Sequence, residues 1–366
     1  MTSIEKEIQE VEEEIRETPY NKSTEEHIGR LKAKLAKLKE EKREEGKGTG
    51  GGEGYAVEKT GHGTVILVGF PSVGKSTLLN SLTGAESEVA EYEFTTLEVN
   101  PGIMKYKGAN IQILDVPGII SGASEGRGRG QEVISVLRNA DLLLIVLEAM
   151  DIDQYDRVME EIRDAGMRID EKPPKVKIEE KDSGGLDISS TVDLDLSEDL
   201  IKSVLEEKGI INADVIIRED LTQERLIDAV MDNRRYIPGL VVVNKVDLVD
   251  DQHLEELKRE VEEKVEEECI FVSAEHGYLS QFKEKIFDGL QFMRIYLKPQ
   301  GGEPDKDEPL ILKKGADIEK LAQEIHRDFS NKFRYARVWG NSAKHPGQQV
   351  GKDHKLKDGD IVTIVS

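Results

Sequence analysis

One stretch of eight residues limits the fold of this 366-residue chain more than any other feature: residues 69–76 read GFPSVGKS. They fit the pattern G-x-x-x-x-G-K-[ST], follow the apolar run 65–68, and precede a helical pattern that starts at Lys75. In this strand–loop–helix context, backbone N–H groups of the loop and of the first helical turn surround a phosphate. The predicted phosphate-binding residues are Gly69, Phe70, Pro71, Ser72, Val73, Gly74, Lys75, Ser76 and Thr77.

The chemistry of such a loop assigns roles to two of these side chains. Lys75 is expected to reach the β- and γ-phosphates, and Ser76 to ligate magnesium. A second apolar run ends at Asp115, which fits the acidic residue that holds magnesium, through a water molecule. Val116, Pro117 and Gly118 follow directly, and the N–H of Gly118 is placed to sense the γ-phosphate.

The loop between the first helix and the second strand contains two threonines. Thr96 is the predicted hydroxyl ligand that closes on magnesium when the γ-phosphate is present, with Thr95 as the alternative and Phe94 beside them. Such a loop orders with a triphosphate and relaxes after hydrolysis. The predicted catalytic residues are therefore Lys75, Thr96 and Gly118.

A second motif predicts which base is bound. Asn244-Lys245-Val246-Asp247 follows an apolar run, and the Asp247 carboxylate can accept from both N1–H and the 2-amino group of guanine. Adenine offers no such donor pair, and an unpaired buried carboxylate is costly, so this contact argues against an ATPase or a kinase. Asn244 is expected to brace the loop and Lys245 to lie along the base. The backbone of Ser273, Ala274 and Glu275 is placed to contact the guanine oxygen.

The residue after Asp-x-x-Gly is informative because it is Ile119. Ras-like enzymes carry a water-orienting Gln there, and an isoleucine cannot orient water. Catalysis is therefore expected to recruit another group, a bound cation or a partner. Arg127 and Arg129, in a glycine-rich segment with Gly122, Gly126, Gly128 and Gly130, could offset phosphate charge; the alternative is a solvated loop.

The order of apolar runs and helical patterns predicts a doubly wound α/β sheet with ligand chemistry at the carboxyl ends of its strands. Periodic apolar residues predict an N-terminal helical hairpin, and the last residues suit a small β-grasp fold. The expected domains are the hairpin and glycine-rich linker (1–54), a GTPase domain (55–165 and 239–298), an α+β insertion (166–238), and a linker with the β-grasp domain (299–366).

Composition limits the partners. The net charge is −23, yet residues 309–366 carry +4. An acidic body argues against DNA, whereas the basic C-terminal segment favours RNA. The single cysteine and the absence of a long apolar run or signal-like start predict a reduced, cytoplasmic protein with no membrane contact. The predicted RNA-facing residues are Lys332, Arg334, Tyr335, Arg337, Trp339, Lys344, Lys352, Lys355 and Lys357; the alternative is an ordinary β-grasp domain docked on the GTPase body.

Four segments resemble the Obg-like branch of translation-factor GTPases: GFPSVGKSTLLNSLTG, YEFTTLEVNPG, DVPGIISGASEGRGRGQEVISVLRNAD and NKVD. The resemblance is closest to the developmentally regulated GTP-binding (DRG) proteins of the archaeal type. The segment ARVWGNSAKHPGQQVGKDHKLKDGDIVTIV resembles their C-terminal TGS domain.

The resemblance implies a GTPase with slow intrinsic turnover that acts in translation and associates with the ribosome or RNA through the TGS domain and the N-terminal hairpin. It also implies a stabilising protein partner, as in eukaryotic relatives, and potassium-stimulated hydrolysis with Mg²⁺. Ser72 departs from the Asn that potassium-dependent relatives often carry. The alternative function is a scaffold that holds GTP with negligible turnover and needs a partner or K⁺ for hydrolysis.

Overall fold

The computed structural model describes residues 3–45, 60–84, 99–116, 130–277, 279–325 and 333–365. The helices of these ranges are α1 (Ser3–Glu17), α2 (Glu25–Glu45), α3 (Lys75–Thr83), α4 (Gly130–Arg138), α5 (Gln154–Asp164), α6 (Glu198–Lys208), α7 (Gln223–Met231), α8 (Asp251–Lys264), α9 (Leu279–Gly289) and α10 (Ile318–Ile325). The strands are β1 (Gly63–Val68), β2 (Asn100–Tyr106), β3 (Ala109–Asp115), β4 (Leu142–Glu148), β5 (Met167–Ile169), β6 (Val176–Glu180), β7 (Leu186–Ser190), β8 (Ala213–Ile217), β9 (Arg235–Ile237), β10 (Gly239–Asn244), β11 (Cys269–Phe271), β12 (Phe292–Leu297), β13 (Leu310–Lys313), β14 (Tyr335–Trp339), β15 (Gln348–Val350) and β16 (Ile361–Val365).

The chain divides into two compact units. One joins Met1–Gly54 to Ile162–Tyr236, and the other joins Tyr55–Glu161 to Ile237–Ser366. The predicted hairpin and the predicted insertion therefore belong to one unit, a grouping that their sequences do not reveal.

The first unit is held together by α2. Ala33 and Ala36 pack into the apolar core formed by α6, α7 and the sheet β6-β8-β7. Gly29 permits the close approach, because a Cβ there would lie 2.2 Å from Leu200 Cδ1 and 2.3 Å from Gln223 Nε2. The opposite side of α2 receives α1, and Val11 packs with Leu31 and Leu38. The hairpin and the α+β character of the insertion are thus as predicted.

The second unit contains a six-stranded sheet in the order β11-β10-β4-β1-β3-β2. All neighbouring pairs are parallel except β2 with β3. Every residue of β1 is buried, as are the first six of β4, which explains the apolar runs 65–68 and 142–147. This is the predicted doubly wound sheet, with the antiparallel edge strand β2 as an unpredicted addition.

A five-stranded sheet in the order β13-β12-β16-β14-β15 packs one face on α10. This is the predicted β-grasp domain, but it begins earlier than expected. Strand β12 lies inside the range 239–298 assigned from sequence to the GTPase domain, yet its backbone pairs with β13 and β16. Met293 and Ile295 alternate into the β-grasp core, which explains why the strand belongs there.

The β-grasp domain is packed against the six-stranded sheet. Phe292 and Ile311 belong to the same apolar cluster as β1, β3 and β4. At the β2–β3 turn, a Cβ on Gly108 would lie 2.5 Å from Cγ of Pro309, the residue before β13. The docking onto the GTPase body, which the sequence analysis gave as the alternative to an RNA-facing domain, is therefore present within this unit.

Among the described residues, no helix has the length and apolar character needed to cross a membrane.

Candidate functional site

The backbone path of the loop 69–74 favours glycine at two points, Gly69 and Gly74. Gly74 has φ 95°, in the left-handed region, and Ser72 has φ 69°. At Gly69 a Cβ would lie 2.4 Å from the carbonyl oxygen of Val146 in β4. The two glycines of the motif are thus needed for close packing and for the turn that starts α3.

Lys75 is the first residue of α3, and its amino group lies in the loop. Its Nζ donates to the carbonyl oxygens of Gly69 and Phe70, each at 2.9 Å. Burial lowers the pKa of this amino group, and the negative charge of Asp115 offsets part of the effect. The loop therefore holds a cation at its centre, where phosphate oxygens are expected.

The two predicted magnesium ligands of the described region meet. Ser76 Oγ donates to Asp115 Oδ2 at 2.5 Å, joining α3 to the end of β3. Asp115 is 4% exposed, and its Oδ1 has no hydrogen-bond partner among the described residues. A buried carboxylate oxygen without a partner beside a hydroxyl fits Mg²⁺ or one of its water ligands, because hard cations prefer oxygen.

Asn244 connects the phosphate loop to the predicted base-binding loop. It is 2% exposed; its Nδ2 donates to Val73 O at 2.8 Å, and its Oδ1 accepts from the N–H of Ala274 at 3.1 Å. The predicted bracing role therefore extends to the second loop. The phosphate loop, the Asn-Lys-x-Asp segment and the Ser-Ala-Glu segment lie at the carboxyl ends of strands β1, β10 and β11, respectively. This is the edge at which such sheets bind ligands.

Asp247 lies in a short 3₁₀ turn, Val246–Leu248. A hydrogen bond from the Ser273 side chain lowers the pKa of its carboxyl, and partial burial opposes the shift. His276 adds a weaker contact at 3.9 Å between Nε2 and Asp247 Oδ2. The carboxylate is thus held ionised, in the form that accepts hydrogen bonds from guanine. Ala274 is 8% exposed, whereas the side chain of Glu275 is exposed.

Two residues of this site escape sequence reasoning. Glu148, the last residue of β4, places its Oε1 3.0 Å from Lys245 Nζ. His276 follows the Ser-Ala-Glu segment. Glu148 is separated from Lys245 by 97 positions, and only the parallel pairing of β4 with β10 brings the two together.

Other predicted site residues lie outside the described residues: Phe94, Thr95, Thr96, Pro117 and Gly118. Ile119, Arg127, Arg129 and Lys332 lie outside them as well. Val116 is described and is 1% exposed, so any contact of this residue with a ligand would use its backbone. The roles of the residues outside the described ranges remain predictions.

The fold and this site define the class: a phosphate loop, an Asp at the end of β3 and an Asn-Lys-x-Asp segment on a doubly wound sheet are those of a P-loop GTPase. The family profile described as a 50S ribosome-binding GTPase matches residues 64–181, the C-terminal region of that domain matches 183–292, and the TGS domain matches 293–366.

Relatives of full length give the family. The chain is 56% identical to a GTP-binding protein of Methanocaldococcus jannaschii, covering 99% of this chain and 93% of that protein. It is 45% identical to developmentally-regulated GTP-binding protein 1 of Xenopus laevis, covering 98% of each. The chain belongs to the developmentally regulated GTP-binding protein family. Among solved structures, the Schizosaccharomyces pombe YchF GTPase has a TM-score of 0.44 at 14% identity, covering 84% of this chain and 99% of that one.

Proposed function

We propose that this GTPase hydrolyses GTP to GDP and phosphate with Mg²⁺ and works as a nucleotide-dependent switch on the ribosome. The observation that carries the proposal is the meeting of Ser76 with Asp115, whose buried Oδ1 is unpartnered among the described residues, beside Lys75. Bound Mg²⁺ would neutralise phosphate charge and help orient the γ-phosphate.

Other residues of the chain have proposed roles in binding the nucleotide and in hydrolysis. Lys75 offsets negative charge on the β- and γ-phosphates, and Asn244 keeps the phosphate loop in register with the base-binding loop. Thr96 and the N–H of Gly118 are proposed to register the γ-phosphate. Ile119 cannot orient the attacking water, so we propose a slow intrinsic rate that K⁺ or the ribosome increases.

Lys75→Ala is expected to weaken GTP binding about 10- to 100-fold, because charge-assisted hydrogen bonds contribute roughly 1.5–3 kcal/mol. GDP binding should weaken less, since the γ-phosphate contacts are absent. Titration with fluorescent GTP and GDP analogues measures both affinities. Lys258, a partly exposed lysine that pairs with Glu255 on α8, supplies the matched control Lys258→Ala. Unchanged GTP affinity and hydrolysis in Lys75→Ala would show that the phosphate-loop assignment is wrong.

The catalytic claim is tested by single-turnover phosphate release from the full chain, with Mg²⁺ or with chelator, in K⁺ or Na⁺, and with or without ribosomes. Release that requires Mg²⁺ and rises with ribosomes or K⁺ supports the switch. No release under any condition would instead support a GTP-holding scaffold.

The proposed ribosome contact is the β14 part of the outer face of the β-grasp sheet, because Phe292 of β12 and Ile311 of β13 pack that face on the GTPase body at the other edge. Ala336 and Val338 of β14 face the core, so Tyr335, Arg337 and Trp339 alternate to the other side. The guanidinium of Arg337 lies 5.9 Å from the centre of the Tyr335 ring. None of the strands β12–β16 contains Asp or Glu. Aromatic rings interleaved with cations suit the bases and phosphates of RNA.

Other predicted RNA contacts are less suited to this role because they already have acidic partners. Lys352 pairs with Glu319, and Lys355 lies 2.9 Å from Asp317. In the hairpin, three lysines of α2 pair with carboxylates of α1: Lys34 with Glu7, Lys39 with Glu12, and Lys42 with Glu5. We therefore confine the proposed RNA contact to the β-grasp domain.

The proposed location of the protein is the cytoplasm.

Arg337→Glu is expected to lower ribosome affinity by about tenfold, since a charge-assisted contact to phosphate is lost and a repulsion is added. The salt dependence of binding should also become shallower. Co-sedimentation with ribosomes over a salt series, with GTP, GDP and a non-hydrolysable analogue, measures both. Lys320→Glu is the matched control, because exposed Lys320 lies on α10, which packs on the opposite face. Equal losses in the two variants would refute the assigned face.

A further inference from the structure

Glu148 stands beside the base-binding loop without a role in the chemistry described above. It is the last residue of β4, directly opposite Asn244 in the parallel register with β10. The N–H of the next residue, Ala149, donates to Asn244 O at 2.9 Å. The backbone of Glu148 is thus fixed to the start of the Asn-Lys-x-Asp segment, one residue from Lys245.

The side chain of Glu148 holds the lysine. Its Oε1 lies 3.0 Å from Lys245 Nζ, and the two side chains are 26% and 30% exposed. Lys245 has φ 64°, so its backbone is in the left-handed region as well. The lysine is therefore constrained at its backbone and at its ammonium group, so the four methylene groups between them can adopt few rotamers.

We infer that Glu148 is a positioning residue for guanine nucleotides, which orders Lys245 so that its methylene chain lies along the purine. This inference rests on the proposed placement of Lys245 along the base. A free lysine loses rotamer freedom when it is fixed against a ligand, and an ion pair that fixes it beforehand reduces that cost on binding. The effect concerns the base, which GTP and GDP share.

Three expectations distinguish this role from others. Glu148→Gln keeps the size of the side chain and removes its charge, so GTP and GDP affinities should fall equally, by about two- to fivefold, as suits a partly exposed ion pair. The preference for GTP over ATP should stay unchanged, because Asp247 sets it. The effects of the two substitutions on nucleotide affinity should also be non-additive: in a Lys245→Met background, Glu148→Gln should cause no further loss of affinity.

The experiment is a double-mutant cycle on the full chain with Glu148→Gln, Lys245→Met and both together, read by displacement of a fluorescent GDP analogue. Glu255→Gln is the matched control, since Glu255 also pairs with a lysine, on α8, and its affinity should equal that of the wild type. Thermal unfolding without nucleotide shows that each variant is folded.

The outcomes separate this inference from the proposed function. Weaker binding in Lys245→Met with unchanged or tighter binding in Glu148→Gln overturns the role of Glu148 alone. Additive losses overturn it too, because Glu148 would then act independently of the lysine. Unchanged binding in Lys245→Met would refute the placement of the lysine on the base, and the inference with it. Equal losses of GTP and GDP affinity that are non-additive between the two substitutions support both the role of Glu148 and the placement of Lys245.

Discussion

Asp247→Ala is expected to weaken GTP and GDP binding by about 10²- to 10⁴-fold while ATP binding changes little, so that the preference for guanine disappears. The carboxylate accepts from two guanine donors, and each hydrogen bond to a charged group contributes about 1.5–3 kcal/mol. The hydrogen bond from Ser273 lowers the pKa of Asp247, so the accepting form dominates at neutral pH. Competition of GTP, GDP and ATP against a fluorescent GDP analogue measures the change.

Asp251→Ala is the control for this result. Asp251 is an exposed carboxylate four positions further on, in the first turn of α8, so it removes the same charge from nearly the same place in the chain. Its GTP-to-ATP ratio should equal that of the wild type. A retained guanine preference in Asp247→Ala would show that the base is recognised elsewhere.

The site could be predicted from sequence where the chemistry is local. The phosphate loop and the Asn-Lys-x-Asp segment each lie within eight residues, so their spacing carries the signal. Glu148 could not be found in this way, because its partner Lys245 becomes its neighbour only through the pairing of β4 with β10. Nothing in the residues around Glu148 marks it out.

The same difference between local and long-range signals explains which strands could be predicted from the sequence. The buried strands β1 and β4 could be predicted because each contains a continuous apolar run, residues 65–68 and 142–147. Strand β2, NPGIMKY, contains Pro and Gly, which argue against a central strand, and its place at an antiparallel edge is set by β3. The alternating residues of β12 suit a strand of either sheet; only its long-range partners β13 and β16 assign it to the β-grasp domain.

A large disruption from one added carbon atom is expected at Gly74. Its φ of 95° is strained for alanine, and the added Cβ would lie 2.3 Å from Asn244 Nδ2, whose bond to Val73 O joins the two ligand loops. Left-handed strain costs about 1–2 kcal/mol, overpacking about 1–3, and an unsatisfied buried amide about 1–3. Gly74→Ala should therefore lose about 3–8 kcal/mol, shared between folding and nucleotide binding.

Gly84→Ala separates strain from steric conflict at the other end of the same helix, α3. Gly84 also has positive φ, 79°, but an added Cβ would meet no atom of the described residues within 4 Å. Gly84→Ala should therefore lower the free energy of unfolding without lowering the affinity of the folded protein for GTP. Gly74→Ala should lower both, as measured by denaturant unfolding and by GTP titration. The conflict is specific to Asn244, so in an Asn244→Ala background Gly74→Ala should cost less than it does alone. An equal cost in both backgrounds would mean that backbone strain, and not the contact with Asn244, makes the second glycine of the phosphate loop necessary.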